Sequence, residues 1–174
     1  MHRPQQDATE GAIRIRELEP TDWSQVWLIV AEVVRAADTF TYDPAMTSEQ
    51  ARGVWMVGPP GRTVVAVDRA NHILGTAHMD TNRPGPGAHV STASFMVSAD
   101  ARGGGVGTAL CRFALQWARS RGYAGMQFNA VAASNVRALA VYRREGFEIV
   151  GTVPGAFAHP TEGRVGMHVL YQEF

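Results

Sequence analysis

The stretch DARGGGVGTAL, residues 100–110, decides the fold because it joins a strand pattern to a helix pattern through glycine. Four of the five residues from Gly103 to Gly107 are glycine. The preceding run HVSTASFMVSA, residues 89–99, is typical of a strand. The residues that follow predict a helix that ends near Gly122, because apolar side chains recur on one helical face. These side chains are Val106, Leu110, Phe113 and Trp117.

The glycine run fits neither of two well-known nucleotide loops. A P-loop requires a lysine and a hydroxyl after its last glycine, and no lysine follows Gly107. The dinucleotide pattern G-x-G-x-x-G fails in both registers, because Thr108 and Leu110 occupy the third glycine position. The first turn of a helix offers free N–H groups to an anion, and Arg102 adds a positive charge. We therefore predict a pyrophosphate site that needs no metal, rather than a plain turn.

Apolar periodicity and turn signals predict one mixed α/β domain with the order strand, two helices, three strands, helix, strand, helix, two strands. The first strand is AIRIREL, and Thr47 with Gln50 forms a capping box for the second helix. The other strands are RTVVAVD and ILGTAHMD, which form a hairpin, then HVSTASFMVSA, GMQFNAV, FEIVGTV and VGMHVLYQEF.

Composition excludes several classes of protein. The 174 residues are 45% hydrophobic and 18% charged, with a formal net charge of +0, which argues against nucleic acid or an anionic membrane as partner. No apolar run reaches the ~18 residues of a membrane span. The polar start predicts a flexible tail over residues 1–11 of a cytoplasmic protein, with the domain at 12–174. The single cysteine, Cys111, is expected to fill the core rather than act as a nucleophile.

Two motifs resemble those of the GCN5-related N-acetyltransferases. The run from Arg102 to Gly107 matches the pattern [RQ]-x-x-G-x-[GA], and Asn135 followed by LAVYRREGF, residues 139–147, resembles the next motif of that family. The resemblance extends from about Ile13 to Tyr171. It implies a twisted, mostly antiparallel mixed sheet of about seven strands, with helices on both faces and a splay between the fourth and fifth strands.

The resemblance also implies acetyl-CoA as the cofactor, and no metal. Phe95, Met96 and Val97 would run beside the pantetheine arm, which Asn135 would also touch. The pyrophosphate would lie against the loop, whose residues are Arg102, Gly103, Gly104, Gly105, Val106, Gly107 and Thr108. Within that loop, Arg102, Gly105 and Gly107 are the residues that the family pattern requires.

Helix geometry supports the second motif independently. Asn135 and Tyr142 lie seven residues apart, about two helical turns, and so share a face. A tyrosine hydroxyl there is suited to protonate a leaving thiolate, although a core tyrosine is the alternative. Asn135 is also well suited to cap the helix.

The sequence does not identify the general base. The strand before the glycine loop contains no carboxylate, whereas many relatives place a glutamate there. A water relay is one explanation. The other candidates are His89 at the strand's start, Asp80 on the preceding strand and Asn129 as a residue that holds water.

The segments FNAV, GFEIVGTVPGAF and ADTFTYDP resemble acetyltransferases that act on proline analogues and phosphinothricin. This favours a small-molecule amine, an amino acid or an analogue, as acceptor. Phe40, Thr41, Tyr42 and His159 would lie on the acceptor side, unless they only anchor loops. The alternatives are a protein or peptide acetyltransferase and a non-catalytic acyl-CoA-binding module. The closing strand VGMHVLYQEF is a candidate homodimer interface, or it completes the monomer's own sheet.

Overall fold

The protein, described by a computed structural model over residues 13–174, is built around a seven-stranded sheet in the order β1-β2-β3-β4-β5-β7-β6. The tail expected at residues 1–11 lies outside this range, and the domain boundary at residue 12 stays a prediction. The strands and helices are β1 (Arg14–Glu17), α1 (Trp23–Ala36), α2 (Ser48–Trp55), β2 (Arg62–Val67), β3 (Ile73–Thr81), β4 (Val90–Val97), α3 (Val106–Ser120), β5 (Gly125–Ala132), α4 (Val136–Arg144), β6 (Glu148–His159) and β7 (Gly163–Glu173).

Helices cover both faces of the sheet. Val64 and Ala66 of β2 pack in the cluster of α3 and α4, whereas Val65 and Val67 pack in the cluster of α1 and α2. Successive strand residues point to opposite faces, so a strand segment covered on both sides is apolar throughout, as VVAV at residues 64–67 shows. The predicted element order and the mixed fold are confirmed.

The expected capping box begins α2. Thr47 Oγ1 accepts the Gln50 N–H at 3.3 Å, and Gln50 Oε1 accepts the Thr47 N–H at 2.9 Å. The helix ends at Trp55, which is fully buried and donates its indole N–H to Thr76 Oγ1 at 3.0 Å. This short helix therefore holds the Trp55 side chain over Thr76, in the middle of β3.

The fourth and fifth strands diverge, as expected. β4 and β5 are parallel and keep register at two positions only, Val90 with Gly125 and Ser91 with Met126. Further along, each strand follows its other neighbour: Phe95 still pairs with Ala77 on β3, and Phe128 with Leu170 on β7. The gap between the two strands is therefore open in the middle of the sheet.

The structure extends the sixth strand beyond expectation and decides between the two roles expected for the seventh. β6 continues past Val153 to His159, because a register shift between Val153 and Phe157 accommodates Pro154 at the sheet edge. β7 pairs with β5 on one side and β6 on the other, so it completes the monomer's own sheet. With both of its edges hydrogen-bonded, β7 offers no edge to a second copy.

Candidate active site

A cleft of about 1230 Å³ occupies the gap between β4 and β5 and reaches from the start of α3 to the loop after α1. Most of the residues singled out in the sequence line it. They are Phe40, Thr41, Tyr42, Phe95, Met96, Val97, Arg102, Gly103, Gly105, Val106, Gly107, Thr108, Asn129, Asn135, Tyr142 and His159.

Three of the expected site residues are not among those that line the cleft. His89 precedes the paired end of β4, where its carbonyl accepts the Ala124 N–H at 2.8 Å. Asp80 accepts the Thr81 N–H at 2.7 Å, and its carboxyl group lies against Gly61. The Gly104 N–H is bonded to Ala101 O at 3.2 Å. Sequence proximity placed these residues near the site, but strand register and the loop turn direct them elsewhere.

The start of α3 presents free backbone N–H groups to the cleft. The Ala109 N–H is bonded to Gly105 O at 2.9 Å, so the N–H groups of the preceding turn are free of the helix's own ladder. Gly103 and Gly105 both have φ of 82°, a conformation that favours glycine, whereas Gly107 does not. The backbone therefore favours glycine at 103 and 105, whereas a Cβ at position 107 would meet only Val97 Cγ2, at 3.9 Å.

Three arginines surround this end of the cleft. Arg102 lies 3.6 Å from the Glu32 carboxylate of α1. Arg144 donates to Thr108 Oγ1 at 3.3 Å, and Arg137 also lines the cleft. Sequence reasoning identified only Arg102. The signal for the other two was their seven-residue spacing, which places both on one face of α4. Together they form a positively charged surface suited to phosphate groups.

Tyr142 reaches the cleft from an aromatic cluster. Its ring centroid lies 4.6 Å from Phe128, 6.1 Å from Phe95 and 6.0 Å from Phe147. Within residues 13–174 its hydroxyl has no hydrogen-bond partner. Burial raises the pKa of the Tyr142 phenol well above its usual value, so the hydroxyl keeps its proton at neutral pH. The side chain therefore presents a protonated hydroxyl, and the surrounding rings hold it in place.

The two asparagines of the site have defined hydrogen bonds. Asn135 caps α4, since its Oδ1 accepts the Ala138 N–H at 3.3 Å while the residue lines the cleft. Asn129 joins two other side-chain amides: Gln127 Nε2 donates to Asn129 Oδ1 at 2.8 Å, and Asn129 Nδ2 donates to Asn82 Oδ1 at 2.7 Å. Asn129 is exposed and retains one N–H for a water or a ligand.

Aromatic and hydroxyl groups line the opposite end. Phe40 and Tyr42 stack with ring centroids 5.7 Å apart, and Phe40 meets Trp55 edge-on at 6.2 Å. Burial raises the pKa of Tyr42. His159 accepts the Glu162 N–H at 3.2 Å in the β6–β7 turn. Sequence reasoning missed several small polar residues that also line the cleft here, which are Thr39, Thr92 and Ser94.

The described part of the chain contains no metal-binding cluster, no accessible thiol and no helix that could cross a membrane. No three His, Cys, Asp or Glu residues within 13–174 are grouped to hold a metal ion. Cys111 is fully buried, and burial raises the pKa of its thiol to about 12, in keeping with the expected core role. Over the same residues, no helix combines the length and the apolar character that crossing a membrane demands.

Residues 14–147 match the model described as the acetyltransferase (GNAT) family. A GCN5-related N-acetyltransferase from Kribbella flavida is 48% identical with a TM-score of 0.92, covering 95% of this chain and 99% of that one. A phosphinothricin acetyltransferase of the GNAT superfamily from Sinorhizobium meliloti, solved with acetyl-CoA, is 21% identical with a TM-score of 0.79, covering 94% and 89%.

The N-acetyltransferase aca1 of Schizosaccharomyces pombe is 28% identical over 97 residues. That alignment covers 56% of this chain and 46% of the yeast protein. The matched region thus spans less than half the length of this curated relative.

Proposed function

The chain belongs to the GNAT acetyltransferase family, and from that premise we propose that it acetylates the amine of a small molecule, an amino acid or a close analogue. The domain is an N-acetyltransferase whose acetyl donor is acetyl-CoA. The observation that carries the proposal is the cleft itself, in which the free N–H groups of α3, the Tyr142 hydroxyl and a polar acceptor end lie along one opening.

The residues present fit acetyl-CoA. We propose that Arg102 and the backbone N–H groups from Gly105 to Thr108 hold the pyrophosphate, since the first turn of α3 leaves those donors free of the helix ladder. The Gly104 N–H is already bonded to Ala101 O and is not one of these donors. Phe95, Met96 and Val97 line the gap where β4 has left β5, so their backbone groups on that side are open to a pantetheine arm. When bound, acetyl-CoA supplies a thioester carbonyl for attack by an amine.

We propose Tyr142 as the general acid. Its hydroxyl keeps its proton because burial raises the pKa of the phenol, and no described residue competes for that proton. A donor of this kind protonates the thiolate as the carbon–sulfur bond breaks. The packing of three phenylalanine rings around Tyr142 keeps the hydroxyl in one position during the reaction.

The acceptor amine must lose a proton, and no carboxylate of β4 is available to take it. We propose that Asn129 holds the water that carries this proton away, since its amide keeps one free N–H at the edge of the cleft. Asp80 and His89, which are not among the lining residues, are weaker candidates for this role.

The acceptor end supports a small, polar substrate. Thr39, Thr41 and Ser94 supply hydroxyl groups, while the stacked rings of Phe40 and Tyr42 supply an apolar wall. His159 approaches from the end of β6 and completes the lining. These groups match the mixed polar and apolar surface of an amino acid.

Thiol release from acetyl-CoA tests the proposal. The panel of acceptors contains the proteinogenic amino acids, phosphinothricin, polyamines and short peptides with free N-termini or lysines. Because all sixteen residues of the lysine and arginine count are arginine, lysine self-acetylation gives no background. Turnover of an amino acid or analogue supports the proposal, and turnover of peptides alone would replace it with the protein-acetylating alternative. Acetyl-CoA binding without turnover on any amine would favour the non-catalytic module.

A cytoplasmic location, a homodimer and a single domain over residues 12–174 stay predictions. Because β7 lies inside the sheet, a homodimer would use another surface, such as the β6 edge, where Val150 and Val153 are exposed. Size measurement in solution tests the oligomeric state.

A further inference from the structure

His78, on β3, is a buried polar side chain that the proposed reaction does not use. Both ring nitrogens are inaccessible to solvent, and neither has a hydrogen-bond partner among residues 13–174. The ring meets Trp55 edge-on, with centroids 4.6 Å apart. Leaving a buried polar atom without a partner destabilises a fold, so such an atom calls for an explanation in function or in a bound state.

The register of the sheet places His78 beside the cleft. His78 lies directly opposite Ser94 on β4, so both side chains are on the α1–α2 face, with their Cβ atoms about 5 Å apart. Ser94 lines the acceptor end of the cleft, and its hydroxyl has no partner among the described residues. An unpartnered imidazole and an unpartnered hydroxyl are therefore neighbours at the site.

The neighbour on the other side does not satisfy the imidazole. Thr63 of β2 is also directly opposite His78. Its hydroxyl already donates to Trp55 O at 3.2 Å and accepts the Val57 N–H at 3.1 Å. Ser94 is thus the cross-strand neighbour of His78 whose hydroxyl is still available.

We infer that His78 is a positioning residue for the acceptor: when an acceptor binds, the Ser94 hydroxyl rotates to donate its proton to the imidazole, and the Ser94 oxygen then faces the acceptor's amine. The inference rests on the proposed function, because it names a determinant of that same acceptor site. With its proton directed at His78, the Ser94 oxygen presents lone pairs to an amine N–H. The amine is held with its nitrogen lone pair free to attack.

The surroundings keep the imidazole neutral, as this arrangement needs. Burial lowers the pKa of His78 to about 4, and the Asp80 carboxylate on the same strand opposes this without reversing it. The residues that face His78 from the other elements, Trp55, Thr63 and Ser94, carry no charge. His78 therefore keeps one ring nitrogen as an acceptor throughout the neutral range.

The test is a double-mutant cycle with the best acceptor of the panel above. His78→Phe keeps an aromatic ring against Trp55 and removes both nitrogens, and Ser94→Ala removes the hydroxyl. Each change is expected to lower kcat/KM for the acceptor about three- to tenfold and to leave the KM for acetyl-CoA within about twofold. The double variant is expected to lose no more than either single variant.

Two further readouts separate positioning from a structural role. The melting temperature of His78→Phe is expected to equal or exceed that of the wild type, since two unpartnered buried nitrogens are gone. His78→Asn and His78→Gln restore an amide near one or the other ring nitrogen, and one of them is expected to recover at least half of the lost kcat/KM. These two variants also keep the test valid if the phenylalanine variant does not fold.

Losses that add in the double variant, no recovery with either amide, or an equal rise in both KM values would overturn the inference while the proposed function stands. If the wild type acetylates no acceptor in the panel, the proposed function fails, and the inference fails with it.

Discussion

Replacing Tyr142 with phenylalanine removes one oxygen from the cleft and leaves the aromatic packing in place. The contacts of the ring with Phe95, Phe128 and Phe147, at 4.6 to 6.1 Å between centroids, need no hydroxyl. Any change in rate therefore reports the loss of the proton donor.

The structure sets the size of the effect. A positioned general acid contributes a factor of about 10² to 10⁴, or about 3 to 5 kcal/mol of transition-state stabilisation. No described residue bonds to the Tyr142 hydroxyl, so no neighbour is left unsatisfied by its removal. We expect kcat to fall at least about 100-fold, with the KM for acetyl-CoA within about twofold and an unchanged or slightly higher melting temperature.

The assay is thiol release from acetyl-CoA followed with a chromogenic disulfide reagent. Cys111 is fully buried, so the enzyme's own thiol adds no signal. Tyr123→Phe is the matched control: its hydroxyl bonds to Thr81 Oγ1 at 2.7 Å, and Tyr123 is not among the residues that line the cleft. The control is expected to keep kcat and to lose about 1 kcal/mol of stability, lowering its melting temperature by about 2–4 °C.

The pH dependence provides a second measurement. Because burial raises the pKa of Tyr142, the wild-type kcat is expected not to decline up to about pH 9.5 through loss of this proton. An unchanged kcat in Tyr142→Phe would refute the general-acid role. So would an equal drop in the Tyr123 control, which would show that the loss comes from packing.

The remaining predictions concern the cofactor end, the glycine loop and the buried histidine. Glu32→Gln removes the carboxylate 3.6 Å from Arg102 and should lower the KM for acetyl-CoA about two- to fivefold, at low salt only. Arg102→Ala should raise that KM about tenfold or more. Titration with acetyl-CoA measures both effects. Gly105→Ala puts a side chain at φ of 82° and should cost about 1–2 kcal/mol in thermal unfolding, while Gly107→Ala should cost almost nothing. Burial lowers the pKa of His78 to about 4 in the folded state, against 6.5 in the unfolded chain. The unfolded chain therefore binds the proton more readily, so the free energy of unfolding is unaffected by this group above pH 6.5 and decreases as the pH falls toward 4. Between pH 7 and pH 4, the free energy of unfolding measured with urea should therefore decrease by about 3 kcal/mol more in the wild type than in His78→Phe. Equal decreases in the two proteins would contradict the lowered pKa of His78.

Local patterns predicted most of the fold. The capping box at Thr47, the hairpin between β2 and β3, and the strand–glycine–helix order at residues 100–110 are each encoded within a few residues. Short-range spacing is enough to define such features, because a turn or a cap depends on neighbours along the chain. The long β6 strand was missed because Pro154 interrupts its pattern, and the register shift that accommodates it depends on β7.

Most of the candidate site was predictable from the sequence, and the two motifs gave the most direct predictions. Arg102, Asn135 and Tyr142 follow from motif spacing, and all three line the cleft. Asp80 and His89 were proposed from their nearness along the chain, and the structure does not place them among the lining residues. Strand direction and register decide which side chains meet, and neither is visible in a single strand's sequence.

By itself, the sequence determined the order of the elements and the strand–glycine–helix turn at residues 100–110, because glycine conformation and helix termini are properties of the local chain. The tertiary structure alone decided that Arg144 meets Thr108 and that His78 lies opposite Ser94. These pairs are 36 and 16 residues apart, and only the packing of α4 beside α3 and the register of β3 on β4 bring them together. Long-range contacts of this kind form when apolar faces are buried jointly, which no segment achieves alone.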